Sequence, residues 1–152
     1  MRASGILMPV FSLPSRYGIG SFSKSAYQFV DMLKKAGQKY WQILPLCPTS
    51  YGDSPYQSFS TYAGNPYFID LDQLIEEKLL TRKECQACDF GDDPQDIDYG
   101  KLYENRFKLL RKAYERANVG EDQEFEAYRR ENAWWLDDYA LFMAVRTGLT
   151  AW

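Results

Sequence analysis

Histidine is absent from all 152 residues. That absence removes Ser-His-Asp and Cys-His nucleophile arrangements, an imidazole base and any zinc-histidine site, so an acid or base in this chain has to be a carboxylate. Cysteine is scarce and odd in number, at three, which argues against a disulfide framework and for a reducing compartment. Cys85-Gln-Ala-Cys88 has the CxxC spacing, but the third cysteine, Cys47, sits in an unrelated strand-end segment. A zinc site wants four ligands, so the expectation is two thiols on a short surface helix, with no metal and no cofactor. Positive charge is not in excess: 18 Lys and Arg stand against 21 Asp and Glu, giving a net charge of −3 and a pI near 5.0. Nucleic acid and anionic membrane surfaces are therefore excluded as expected partners, and the substrate should be neutral. No apolar run is long enough to span a bilayer, and Met1 is not followed by a basic stretch and a hydrophobic segment. Gly18-Ile-Gly20 lacks the third glycine of a phosphate-binding fingerprint and reads as a turn. With 45% hydrophobic and 26% charged residues, the composition is that of a globular cytoplasmic chain.

What the chain does have is aromatic residues set among short polar ones. The run Tyr51-Gly-Asp-Ser-Pro-Tyr-Gln-Ser-Phe-Ser-Thr-Tyr-Ala-Gly-Asn-Pro-Tyr67 holds four tyrosines and a phenylalanine, with Ser, Gln, Asn and Asp between them. A pyranose presents apolar C–H faces that lie on aromatic rings and a rim of hydroxyls that need donors and acceptors, so this mixture suits a sugar. The competing reading is a rigid loop whose tyrosines cap a core.

Along the chain, residues 5–10 read as a buried strand with Pro9 at its end, and residues 12–20 as a loop. Ala26, Phe29, Val30, Leu33 and Ala36 fall at helical spacing, which predicts a helix from near Ser23 to Ala36 stopped by Gly37. Residues 41–46 read as a second strand, completing a right-handed parallel βαβ unit. Beyond Asp70 the pattern turns helical. Asp72 is expected to cap a short helix through Leu80, and Thr81-Arg-Lys-Glu84 has the spacing of a capping box. An acidic loop over residues 91–98 precedes a helix over 99–117, whose face is marked by Tyr99, Leu102, Tyr103, Arg106, Leu110, Ala113, Tyr114 and Ala117. A last helical stretch covers 122–147, with Trp134 and Trp135 expected to pack between helices. Two parallel strands leave ladder edges open on both sides, so the isolated chain should be marginally stable, self-associate, or need further polypeptide.

Four segments, in order, resemble one family. Ser12-Leu-Pro-Ser-Arg-Tyr-Gly-Ile-Gly20, Tyr40-Trp-Gln-Ile-Leu-Pro-Leu46, the run from Tyr51 to Asp70, and Glu131-Asn-Ala-Trp-Trp-Leu-Asp-Asp-Tyr-Ala-Leu-Phe-Met143 are similar to the 4-alpha-glucanotransferases of glycoside hydrolase family 77. The resemblance implies an α/β fold: the amino-terminal part of a (β/α)8 barrel carrying a largely helical insertion subdomain. Residues 1–70 would form the first βαβ unit with the glucan-binding loop, and residues 71–152 a helical subdomain. Such a barrel needs roughly 250 residues to close, so at 152 residues the chain looks like the amino-terminal piece of an enzyme, from a shortened gene product or a proteolytic fragment.

The resemblance further implies a retaining double displacement that moves α-1,4-glucan segments to an acceptor sugar, with an aspartate nucleophile and a glutamate acid roughly 5 to 5.5 Å apart. Both would lie on later barrel strands, so no catalytic residue is assigned here, and Asp53, Asp70 and Asp72 are read as loop or cap residues. Tyr56 matches the tyrosine against the sugar at the cleavage point, with Ser54 and Gln57 beside it, while Tyr51 and, more weakly, Tyr99 match a secondary glucan-binding surface. The expected partners are α-1,4-glucans and maltooligosaccharides, together with the rest of the enzyme or further copies of the chain. The alternatives are part of a related α-glucan hydrolase, or a non-catalytic glucan-binding or interaction module. Two residues depart from the pattern: Cys47 stands where the family has glycine, and Pro9-Val-Phe11 differs from its commoner small-polar version.

Overall fold

The computed structural model describes residues 2–50 and 52–149. Its only sheet among those residues is a two-stranded parallel one, β1 (Gly5–Leu7) beside β2 (Tyr40–Gln42), with Gly5 opposite Tyr40 and Leu7 opposite Gln42. The strands approach closely at Gly5, where a Cβ would stand 2.5 Å from the Tyr40 carbonyl oxygen. Between them runs α1 (Lys24–Lys35), capped by Ser23, whose side chain accepts from the Ser25 amide, and stopped by Gly37 at φ +70°. The helix lies on β2 through an edge-to-face contact of Phe29 with Trp41, 5.0 Å between ring centres, and the Trp41 indole donates to the Met8 carbonyl at 2.7 Å. The helix, its boundaries and the parallel pairing follow the sequence pattern. The strands are shorter than expected and are not buried, for Ile6 is 41% and Leu7 55% exposed. Val10, expected at the end of the first strand, instead starts a 3-10 turn (Val10–Ser12) that aims inward.

The fully buried core is centred beyond the strands, with Ala26 of α1 in it and Trp41 of β2 packed against it. Val10, Leu13, Tyr17 and Ile19 from the loop after β1 meet Tyr67, Phe68 and Leu71 from the end of the long second loop. Leu80, Cys85, Phe90, Leu102, Leu109 and Ala113 close it from the helical part, so residues on both sides of Asp70 share one core. The helical part comprises α2 (Leu71–Glu76), α3 (Arg82–Gln86), α4 (Tyr99–Ala117) and α5 (Gln123–Leu149). The capping box of α3 is complete: Thr81 Oγ1 accepts from the Glu84 amide, and Glu84 Oε2 accepts from the Thr81 amide at 3.0 Å.

Four expectations need correction. Asp70, not Asp72, caps α2 by accepting from the Asp72 amide, which leaves the Asp72 carboxylate to accept from the Tyr17 hydroxyl at 2.6 Å. Cys85 is not a surface thiol but 1% exposed, because α3 turns one face into the core; Cys88, just past the helix end, donates to the Glu84 carbonyl. Burial pushes both thiols above their ordinary value, which makes them poor nucleophiles. The inward face of α4 is Leu102, Arg106, Leu109 and Ala113, whereas Tyr103 and Tyr114 are 58% and 62% exposed. Their large rings fit the expected period but point to the other side of the stripe. Finally, the ring partner that Trp134 and Trp135 share is a loop residue, Tyr62 of the second loop.

Candidate functional site

The second loop is built as three small turns, each held by its own short polar side chains. In the first, residues 50–57, the Ser50 amide donates to the Gln57 carbonyl at 3.1 Å, and the Asp53 amide to the Ser50 carbonyl at 3.2 Å. Gly52 and Asp53 both take positive φ, at 83° and 54°, a geometry that favours glycine and that aspartate tolerates. Ser54 Oγ accepts from the Tyr56 amide at 3.3 Å, and the Gln57 amide donates to the Ser54 carbonyl at 3.1 Å. In the second turn, Ser60 Oγ accepts from the amides of Tyr62 and Ala63, while Ser58 Oγ donates to the Ser60 carbonyl at 2.7 Å. In the third, the Asn65 side chain accepts from the Tyr67 amide and its own amide donates to the Leu46 carbonyl at 2.8 Å, which fixes Gly64-Asn-Pro66 as a backbone-shaping unit. Much of the short polar content therefore serves the backbone, as turn chemistry requires.

The sequence-derived site residues separate into two places. Ser54, Tyr56 and Gln57 come together on the first turn, where Tyr56 is 73% exposed and Ser54 half-buried. Its bond to the Tyr56 amide uses the serine oxygen as acceptor, so the hydroxyl hydrogen remains available as a donor. Tyr99 lies elsewhere, half-buried at the start of α4 and 6.1 Å from the Tyr67 ring. Asp53 joins the two places electrostatically, because its carboxylate, after burial, helps to raise both the Tyr99 and Tyr67 phenols, the latter pushed up to about 12. Tyr51 lies outside the described residues.

Two features went unread in the sequence. The first is a cleft of about 480 Å³ between the second turn and α5, lined by Phe59, Tyr62, Trp135, Tyr139 and Phe142, with Asp138 as its charged member. Phe59 there takes the Arg146 guanidinium over its ring at 4.1 Å and the Phe142 ring at 5.8 Å. Its signal was the matching aromatic content of residues 59–62 and 134–142, which no periodicity rule pairs. The second is the packing of Tyr67 against Phe107, and of Phe107 against Tyr103, at 5.6 and 5.4 Å. The four-residue spacing of Tyr99, Tyr103 and Phe107 was its signal. Among the described residues no three Cys, Asp or Glu side chains gather in a metal-binding arrangement, and no helix is long and apolar enough to cross a membrane. Chemically, the arrangement offers ring faces, phenol and serine hydroxyls, an amide and single carboxylates. That set is chemically suited to a neutral polyhydroxyl ligand.

The model of a family described as 4-alpha-glucanotransferase matches residues 8–152. A 4-alpha-glucanotransferase of Clostridium butyricum is 55% identical over 139 residues, covering 91% of this chain and 28% of the relative. That of Thermus thermophilus is 47% identical over 149 residues, covering 95% and 29%. Among solved structures, an amylomaltase from Streptococcus agalactiae in complex with acarbose superposes with a TM-score of 0.89 at 44% identity, covering 97% of this chain and 30% of that one. The chain thus spans less than a third of the length of the proteins it matches.

Proposed function

Because the chain belongs to the 4-alpha-glucanotransferase family, glycoside hydrolase family 77, we propose that it forms one wall of the substrate cleft in a retaining 4-alpha-glucanotransferase. In this reading β1, α1 and β2 are the first units of a (β/α)8 barrel, and residues 71–152 a helical subdomain beside its mouth. Loops after barrel strands line the active site in that architecture, which puts the loop after β2 at the sugar. The nucleophilic aspartate and the acid glutamate come from polypeptide beyond this segment, so the segment binds and orients the glucan without attacking it. Tyr56 lays its ring on the sugar at the cleavage point, Ser54 and Gln57 meet its hydroxyls, and Pro55 stiffens the turn that holds them. Tyr51 and Tyr99 contact glucan at a secondary surface. Transfer exceeds hydrolysis when water is kept out and an acceptor is held in place, so an aromatic wall favours the transfer product.

The observation that carries this reading is the near-complete superposition on an amylomaltase that binds acarbose, with Tyr56 standing 73% exposed on a turn pinned at both ends. The setting is cytoplasmic metabolism of starch, glycogen or maltodextrin. The test is to incubate the full polypeptide that carries these residues with maltotriose. A ladder of longer maltooligosaccharides is expected, and Tyr56→Ala should lower kcat/KM by about tenfold or more, the scale of one lost aromatic contact. Glucose as the sole product would assign a hydrolase instead, and binding without turnover a glucan-binding module.

A further inference from the structure

Tyr56 is 73% exposed, so its ring takes its place from the backbone beneath it and not from a surrounding core. That backbone runs without a spacer into the second turn: the first turn closes on Gln57, and the Ser58 hydroxyl already bonds within the second. The second turn is itself tied up by Ser60 Oγ, which accepts from the Tyr62 and Ala63 amides, so its residues move together. Its two rings lie on α5. Tyr62 meets Trp134 edge-on at 4.7 Å and Trp135 at 5.8 Å, while Phe59 meets the Phe142 ring at 5.8 Å and the Arg146 guanidinium at 4.1 Å. Trp135 and Phe142 are seven residues apart, which sets the two contacts about 10 Å apart along the helix. The cleft of about 480 Å³ has residues of both contacts among its walls. One support would leave the turn free to pivot, whereas two at that separation fix its orientation. Enclosure does not account for them, since Tyr62 and Trp134 stay 61% and 65% exposed; ring edges on ring faces, and a cation over a ring, supply the attraction.

We propose that Tyr62 and Phe59 are positioning residues: braced on α5, they hold the backbone that carries Tyr56 and Gln57 at the sugar. The proposal rests on the cleft-wall reading and adds to it a support that touches no substrate. The brace acts on the outcome of the reaction. With Tyr56 held in place, water is kept from the cleavage point while the acceptor arrives; a turn free to pivot admits water, and the glycosyl group then passes to water in place of the acceptor hydroxyl.

The test uses the full polypeptide that carries these residues, with maltotriose as substrate. Transfer conserves the number of reducing ends and hydrolysis adds one per event. The ratio of new reducing ends to glucose released is therefore a property of each turnover and does not change when fewer molecules are folded. Tyr62→Ala should raise this ratio about fivefold or more and lower kcat about tenfold, the scale of a misplaced binding group. Tyr62→Phe, which keeps the ring, should match the parent. An unchanged ratio in Tyr62→Ala overturns the brace, whatever happens to rate or melting temperature. Where that variant does not fold, Phe59→Leu and Trp135→Leu, which keep apolar bulk and lose a ring, should give the same rise, and its absence in both overturns the brace. Since the brace acts through Tyr56, the ratio in Tyr56→Ala with Tyr62→Ala should equal that of Tyr56→Ala alone; effects that multiply overturn it. Tyr56→Ala separates the two readings. If it leaves kcat/KM at the parent value, the cleft wall fails; if it lowers kcat/KM while Tyr62→Ala leaves the ratio unchanged, the brace alone fails.

Discussion

The helices α4 and α5 are both long, at 19 and 27 residues, yet one is fastened to the core and the other leans on a loop. Along α4 the buried positions 102, 106, 109 and 113 fall on a single stripe, the pattern of a helix with one apolar face. Its ends are tied as well: Asp98 accepts from the Lys101 amide, and Arg116 donates to the Leu79 carbonyl and to both oxygens of Glu84. On α5 no described residue is fully buried, and Trp134, Leu141, Phe142 and Val145 are 65%, 65%, 48% and 54% exposed. Apolar residues spread around a helix belong to one enclosed on several sides. The sheet tells the same story, for Ile6, Leu7 and Tyr40 are exposed and both outer edges of the pair are open. Half of the molecule is finished, and the other half presents the surface on which the proposed barrel would continue.

Leucine truncation should separate the two halves most sharply. Leu102 is 0% exposed, so Leu102→Ala removes packed methyl groups and leaves a cavity, costing about 2 to 5 kcal/mol in urea unfolding. Leu141→Ala, at 65% exposure, should change stability by less than about 0.5 kcal/mol. Similar losses at both sites would mean that α5 is buried in solution by self-association. The open sheet gives the next largest effect. Sedimentation of the isolated chain should show mass rising with concentration, and Leu7→Lys, a charge set on an exposed edge strand, should reduce it. A concentration-independent monomer with a sharp melting transition would refute the open-edge account.

A subtler difference concerns acid. Hydrogen bonds from Arg116, then from Thr81, hold the Glu84 carboxyl well below the usual carboxylate range. The folded value is depressed, so the stability it contributes is whole above the unfolded value of about 4.3 and is lost as pH falls below it. Acid titration of unfolding should therefore be shallower in Glu84→Gln. The matching substitution on α5, Asp137→Asn, which breaks an exposed ion pair with Arg129, should cost no more than about 1 kcal/mol.

The features fixed by local bonds were the legible ones. Ser23, Gly37 and the Thr81 box act through bonds to residues two to four positions away, so local sequence is enough to place them. Asp70 and Asp72 were exchanged because both can cap from where they stand, and the choice is made by Tyr17, 55 residues earlier in the chain. Cys85 looked superficial because a five-residue helix is too short to display a period. The strand boundaries were overextended because an apolar run reads as buried strand whether or not its neighbours are present. In the candidate site, Ser54, Tyr56 and Gln57 were adjacent in sequence and remain so in space. The cleft against α5 joins residues some 75 positions apart, and only tertiary structure brings them together.

Tyr17 is the joint between the two halves, and a single bond is at stake there. Its hydroxyl, on the loop after β1, donates to the Asp72 carboxylate on α2 at 2.6 Å, and Arg16 stands 4.0 Å from the other oxygen. Burial, and then the bond to Asp72, push the phenol above its ordinary value. Below about pH 10 the phenol is protonated whether folded or unfolded, so its contribution is constant there. Above that, the unfolded phenol ionises first, and stability is lost as pH rises toward the folded value. Tyr17→Phe keeps the ring against Phe90, 5.9 Å away and edge-on, and deletes only the bond. It should cost about 1 kcal/mol at neutral pH and make the alkaline limb of the unfolding curve shallower, with the raised phenols of Tyr67, Tyr99 and Tyr139 and the two raised thiols left to supply the remaining slope. An alkaline limb unchanged by the substitution would mean that the joint is made by ring packing alone, and that the loop after β1 is held to the finished half by its apolar residues.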